Sequence, residues 1–330
     1  MIRLKSQTVF QEYAREIDSY TNMKVIAHDS RGMVYEVDGV DGSGTVEVLT
    51  LFSGIFLQFH SFHCKSFHIP AAEGVSRGLK INYCSEGRME VRMSDNLCLF
   101  MEPGTLSMDI RTAQHSFQFP CGHYHGIELF LHDDMIGNGT PDAWDGFGID
   151  LKQVKHRFCG DGKSYVIFAD DRFRSLFQSI SDAPQGCRLE YLQIKAAELL
   201  LLMQNVPMPC RSETSTLMTT GQVEIAKQVR DIIMRDLSRH HSIESLAASF
   251  GVSASSVKNY FQGVYGKNIS TYLREARMSA AAIALRDGRE PVGEIASAVG
   301  YENASKFSAA FKSYFGDSPL EYRRQSRCGI

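Results

Sequence analysis

No stretch of the 330-residue sequence reaches the roughly 20 consecutive apolar residues that cross a bilayer. The opening MIRLKSQTVFQEYAREIDSY has no apolar core of signal-peptide length. Both absences argue against a membrane partner and lead to the expectation of a soluble, cytoplasmic protein. The eight cysteines, at 64, 84, 98, 121, 159, 187, 210 and 328, include no CxxC pair. That excludes a zinc ribbon and a thioredoxin motif, and free thiols are expected in a reducing compartment. Tryptophan occurs once, as Trp144 in GTPDAWDGFG, where no function is read. A phosphate-binding Gly-rich loop, a GxSxG elbow and a well-placed carboxylate pair are all missing. Hence no catalytic residue and no cofactor is expected, and the protein is not expected to be an enzyme.

Hydrophobic residues make up 43% and charged residues 22%, the balance of a globular chain rather than a disordered one. The length suggests more than one domain. The net charge of −3 is unevenly spread. Residues 219–330 carry 15 Lys+Arg against 11 Asp+Glu, whereas residues 1–218 carry 20 against 27. A basic C-terminal part on an acidic body hints at an anionic partner for that part alone.

Residues 205–221, NVPMPCRSETSTLMTTG, read as a linker, because two Pro, a Ser/Thr cluster and a closing Gly interrupt all periodicity. The expected division is therefore 1–204, a linker at 205–221, and 222–330. Within the first part, residues 6–20 read as a short helix. Residues 44–64 read as two strands broken at Gly54. Short β-like pieces follow at 78–84, 87–93, 96–101, 105–110, 115–119 and 125–131, with turns at Glu86-Gly87 and Pro103-Gly104. Many short, evenly spaced strands imply a sandwich or barrel.

Residues 171–181 and 187–205 read as helices. In the second, Leu189, Leu192, Ala196, Leu199, Leu200 and Met203 recur at helical spacing, and Leu199–Met203 is continuously apolar. A helix apolar beyond one face must be covered from more than one side. It either packs on its own sandwich or self-associates, with Leu192 and Leu199 as the dimerisation candidates.

The C-terminal part contains a repeat. Leu246 and Ala247 answer Ile295 and Ala296, and Gly251 answers Gly300. Val257, Phe261 and Gly266 answer Phe307, Phe311 and Gly316. Each copy is a short helix, a small Ala, a Gly turn, a second helix and a closing Gly: a helix-turn-helix, at about 243–262 and 292–312. The Ala allows close helix crossing, and the Gly supplies a left-handed turn. Ser253 and Asn303 are the expected N-caps of the second helices. The faces opposite the Val257–Phe261 and Phe307–Phe311 pairs would point outward. They carry Ser255, Ser256, Lys258 and Asn259, then Ser305, Lys306, Ser308, Ala309 and Lys312. Residues 269–287 between the copies read as one rigid helix, about 28 Å long at ~1.5 Å per residue. That length approaches the ~34 Å between successive major-groove faces of B-DNA, so one chain could present both second helices to one duplex.

SIESLAASFGVSASSVKNYFQGVYGKNISTYLREARMSAAAIAL and IASAVGYENASKFSAAFKSYFGDSPLEYRR carry a resemblance. Residues 222–325 resemble the DNA-binding domain of the AraC/XylS family of transcription regulators, down to the closing Gly316, Pro319, Tyr322 and Arg323. The resemblance implies a multi-domain protein: an N-terminal, mostly β, cupin-like or jelly-roll sensor with an α-helical dimerisation segment at about 171–204, and a C-terminal all-α double helix-turn-helix. It implies base reading from Ser255 and Asn259 in the first copy and from Ser305 and Ala309 in the second. Ala309 can meet only a thymine methyl. Lys258, Lys306, Lys312, Arg323 and Arg324 are the candidates for phosphate contact. The implied partners are double-stranded DNA, an unidentified small-molecule effector, a second copy of the chain in a homodimer, and RNA polymerase as a further candidate.

Nine of the eleven histidines precede the linker. His60, His63 and His68 cluster in sequence with Cys64, while His123 and His125 sit three residues or more before Glu128. The spacing is similar to the HxH…E metal motif of cupins, with the Glu one or two residues too close. These five histidines are candidate ligand-binding residues, with no metal assigned. A cupin-type metalloenzyme or metal sensor fused to a DNA-binding domain is the competing reading.

Overall fold

The computed structural model describes residue 15 and residues 20–29, 31–68, 78–92, 96–110, 116–160, 165–206 and 217–328. The helix expected over 6–20 and the heart of the expected linker lie outside these described residues, apart from Arg15 and Tyr20. The chain divides into two compact units, Met1–Leu217 and Met218–Ile330.

The first unit is built on two antiparallel sheets. Its strands are β1 (Met23–His28), β2 (Gly32–Gly39), β3 (Gly42–Phe52), β4 (Ile55–His63), β5 (Ser66–His68) and β6 (Gly78–Gly87). They continue as β7 (Met89–Arg92), β8 (Leu97–Met101), β9 (Thr105–Ile110), β10 (Ser116–Gln118), β11 (Tyr124–His132) and β12 (Tyr165–Phe168). The larger sheet runs β1-β2-β3-β4-β11-β6-β9-β12; in the other, β8, β7, β10 and β5 are neighbours in that order. Gly54 takes φ +76° at the β3–β4 turn, and Gly87 and Gly104 take +79° and +83° at the two other turns marked in the sequence. A side chain resists that backbone region, which is why the chain reverses there.

Strand alternation sorts the large sheet into two layers. Ile55 and Leu57 of β4, Ile81 of β6 and Leu129 of β11 face one layer. There they meet helices α2 (Leu151–Cys159), α3 (Asp171–Ser181) and α4 (Arg188–Asn205). The short α1 (Asp133–Asn138) follows β11 directly. Phe56 and Phe62 of β4, Cys84 of β6, and Tyr124 and Phe130 of β11 face the opposite layer, against Val91, Leu99 and Phe119. Strands β1, β2, β5 and β12 and helices α1 and α2 were not singled out in the sequence.

Helix α4 corrects one expectation. Leu192 and Leu199 are both fully buried within the first unit, in the layer between the large sheet and its helices. They are core residues, and neither offers surface to a second chain. The helix is apolar on several sides because α2, α3 and β3 all pack against it. Its start is fixed by the Arg188 guanidinium, which donates to the Glu47 carboxylate at 2.8 Å and lies over the Phe59 ring at 5.1 Å.

The second unit is helical: α5 (Thr220–Arg235), α6 (Ile243–Ser249), α7 (Ala254–Tyr265), α8 (Ile269–Asp287), α9 (Val292–Ala298), α10 (Ala304–Phe315) and α11 (Pro319–Cys328). Its borders follow local chemistry. Thr219 and Gln222 form a capping box at the start of α5, and Asn268 caps α8 by accepting from the Thr271 amide.

Candidate nucleic-acid interface

The two helix-turn-helix copies are α6–α7 and α9–α10. At the crossing within each copy sit Ala247 and Ala296, both buried. Gly251 and Gly300 make the turns at φ +64° and +82°. Beyond the turn, Ser253 Oγ accepts from the Ser256 amide at 3.1 Å, and Asn303 Oδ1 accepts from the Ser305 and Lys306 amides at 2.8 and 3.0 Å. Gly266 and Gly316 close the second helices at φ +70° and +87°. Val257 and Phe261 in α7, and Phe307 and Phe311 in α10, have no exposed surface. Each apolar pair seats its helix on the core and turns the opposite face to solvent.

On those outer faces Ser255, Lys258, Asn259, Ser305, Lys306, Ala309 and Lys312 are exposed, while Ser256 is half-buried. The Ser253 hydroxyl lies 2.8 Å from that of Ser255 and 2.9 Å from that of Ser256. The two copies are joined by α8, whose Arg277 donates from Nε to the Leu237 carbonyl at 2.8 Å and lies over the Tyr301 ring at 5.9 Å. That clamp ties α8 to the turn of the second copy. Sequence reasoning missed it, because nothing local to Arg277 names its partners.

A profile described as a helix-turn-helix domain matches residues 246–325. The transcriptional regulator Rob of Salmonella typhimurium is 33% identical over 101 residues, covering 30% of this chain and 35% of that protein. A protein of Streptomyces lividans described as AraC-like is 36% identical over 90 residues, covering 27% and 30%. The C-terminal part of the chain is thus similar to AraC-type transcription regulators.

Another similarity reaches further along the chain. The Msm operon regulatory protein of Streptococcus mutans is 26% identical over 180 residues, which is 53% of this chain and 62% of that protein. The chain thus spans about three-fifths of one of these relatives and about a third of the other two. Among solved structures, the C-terminal domain of AraT from Geobacillus stearothermophilus covers 31% of this chain and 84% of its own at 33% identity, TM-score 0.30. The DNA-binding domain of AdpA, in complex with a target DNA, covers 31% and 93% at 23% identity, TM-score 0.30.

Within the helix-turn-helix unit one phosphate candidate already has a partner. Arg323 is half-buried, and its guanidinium donates to the Glu290 carbonyl at 2.6 Å. It fastens α11 to the loop between α8 and α9. Arg324, next to it, is exposed. Gln262 is an exposed side chain that the sequence reading passed over. It lies three residues beyond Asn259, and that spacing was the available signal.

The five histidines do not form one site. His60 alone faces the inner layer, where its Nε2 lies 3.4 Å from Gln58 Oε1. Burial, with a smaller contribution from Lys80, pushes its pKa down to about 3, so the ring is neutral. Three residues on, His63 points to the other face of β4, as period-two alternation requires. There its ring meets that of His125 at 5.0 Å. Burial lowers the pKa of His125, Glu86 opposes the shift, and His63 and His123 add to it. His123 precedes β11, with Nδ1 3.2 Å from the Cys121 carbonyl and Nε2 3.8 Å from Glu86 Oε1. His68 is exposed on β5, in the second sheet. The expected grouping of His60, His63 and His68 is therefore not formed, and neither is HxH…E: Glu128 and His125 occupy opposite faces of β11. Among the described residues no three His, Cys, Asp or Glu side chains come together as a metal site.

A polar row replaces that grouping on the inner face of the large sheet. Glu128 is paired with Gln58 on β4 and with Asn82 on β6, and Asn82 with Ser107 on β9. All four are buried. The Tyr124 hydroxyl donates to Asn82 Oδ1 at 3.1 Å, and Lys80 pairs with Asp109 at 3.2 Å beside the row. Sequence reasoning missed these residues because they lie on four strands far apart in sequence, and register alone makes them a row.

Proposed function

We propose that this protein is a sequence-specific DNA-binding transcription regulator, controlled by a small-molecule effector held in its N-terminal unit. The observation that carries the first half is the doubled helix-turn-helix, each copy with a capped second helix and a polar outer face. Ser255, Asn259, Ser305 and Ala309 face the bases. Lys258, Lys306, Lys312 and Arg324 neutralise phosphates, which fix register and release counterions.

The second half rests on the two antiparallel sheets and the buried Gln58–Glu128–Asn82–Ser107 row, with His60 at its edge. Buried polar groups are costly unless paired, and a ligand bearing hydroxyl or amide groups can share such a row. The effector acts by favouring one of two pre-existing arrangements of the chain. Homodimer formation and contact with RNA polymerase belong to this reading through the family resemblance, as does a cytoplasmic location.

The experiment is selection of bound duplexes from a random pool by the full-length protein, followed by titration at several salt concentrations. A recurrent motif, with affinity that falls steeply as salt rises, is expected. Recovery of no motif, with equal affinity for all duplexes, would overturn the proposal.

A further inference from the structure

The outer face of α7 carries two amide side chains. At about 100° per residue, Ser255, Asn259 and Gln262 lie opposite the buried Val257, Phe261 and Val264. Four other amides of the C-terminal domain are engaged, and Gln325 is exposed on α11, outside the helix-turn-helix copies. Asn268 and Asn303 cap helices, Gln222 completes a capping box, and Gln228 donates to Glu224 at 2.8 Å. Asn259 and Gln262 are exposed and have no protein partner among the described residues. The hydroxyls of Ser255 and Ser256 are within hydrogen-bond reach of Ser253.

The second copy differs at these positions. Ala309 answers Asn259, and Lys312 answers Gln262. An amide offers a donor and an acceptor side by side, which matches N7 and N6–H of adenine in the major groove. A methyl group and an ammonium cannot present that pair. Asn259 and Gln262 are three residues apart, about 4.5 Å along the helix at ~1.5 Å each, which is close to the step between adjacent base pairs.

Resting on the regulator reading above, we propose that Asn259 and Gln262 together read two neighbouring adenine-bearing base pairs, and that this discrimination belongs to the first helix-turn-helix alone. Operators of this protein then contain one box with two constrained adenines. The box facing α10 lacks that pattern.

The test is motif selection from a random duplex pool with the full-length protein and its Asn259→Ala, Gln262→Ala, Gln262→Glu and Lys312→Ala variants. Melting curves confirm that each variant is folded. The wild-type motif is expected to hold two adjacent adenines, and Gln262→Ala to relax one of them by roughly 5- to 150-fold. Gln262→Glu keeps the acceptor and loses the donor, so it should move that position toward cytosine. Lys312→Ala should leave both adenines constrained. A clear wild-type motif that Gln262→Ala and Gln262→Glu leave unchanged would overturn this assignment and leave the regulator standing. No motif from the wild type would overturn both.

Discussion

The Tyr124 hydroxyl donates to Asn82 Oδ1 across 3.1 Å, joining β11 to β6 in the buried inner layer. Both side chains are almost fully buried, and the Asn82 amide nitrogen faces the Met101 sulfur at 3.7 Å. Tyr124→Phe removes the donor and leaves a buried acceptor unpaired. The expected loss is about 1–3 kcal/mol in the N-terminal unit, seen as a lowered melting transition. An unchanged melt would mean that this hydrogen bond contributes nothing net.

His60 gives the N-terminal unit a signed pH dependence. Its pKa is about 3 in the folded unit and near 6.5 when unfolded. Between those values the unfolded chain binds the extra proton, so stability falls as pH drops from about 6.5 toward 3. The total is on the order of a few kcal/mol. Denaturant melts at pH 7 and pH 5 should differ in the wild type, and the difference should shrink in His60→Gln. An equal difference in both proteins would assign the acid sensitivity elsewhere.

Leu199 separates core from interface. Leu199→Ala should cost about 2–5 kcal/mol through a cavity in the sheet–helix layer. Sedimentation below the melting transition should show the association state of the wild type. Dissociation of an otherwise stable protein by this substitution would restore Leu199 to the subunit surface.

Arg323 and Lys312 predict different losses. Arg323→Ala removes a donor to the Glu290 carbonyl and should lower the stability of the C-terminal unit. Lys312→Ala should leave stability intact, weaken binding to all sites and reduce the salt slope by about one counterion. Equal salt slopes for wild type and Lys312→Ala would remove Lys312 from the phosphate contacts.

The two turn glycines should respond unequally. Gly251 is at φ +64° with open space where a Cβ would stand, whereas at Gly300 the Cβ would lie 2.8 Å from the Leu237 carbonyl and 2.5 Å from Arg277. Gly251→Ala meets backbone strain alone, about 1–2 kcal/mol. Gly300→Ala meets strain and a clash with the clamp, and should be the more destabilising by urea titration. The reverse order would contradict the packing described for Arg277.

The DNA-binding half was legible in the sequence because its determinants act over a few residues. Ser253 and Asn303 cap the helices that begin beside them, Gly251 and Gly300 bend the chain where they stand, and α8 spans the 269–287 of its alanine-rich stretch. Duplication then made these local signals specific. The N-terminal half was legible only as separate strands and helices. Which side chains meet there depends on pairing between strands far apart in sequence: β11 inserts between β4 and β6, and that sets Glu128 between Gln58 and Asn82. The same distant pairing separates His60 from His63 and joins His63 to His125. Tertiary packing likewise assigned Leu192 and Leu199 to the core and Arg323 to a carbonyl 33 residues away. Caps, glycine turns and helical periodicity are written within one or two turns of chain, so the sequence by itself determined them. Register, layer and partner are decided by what the rest of the chain brings alongside, and the tertiary structure alone supplied them.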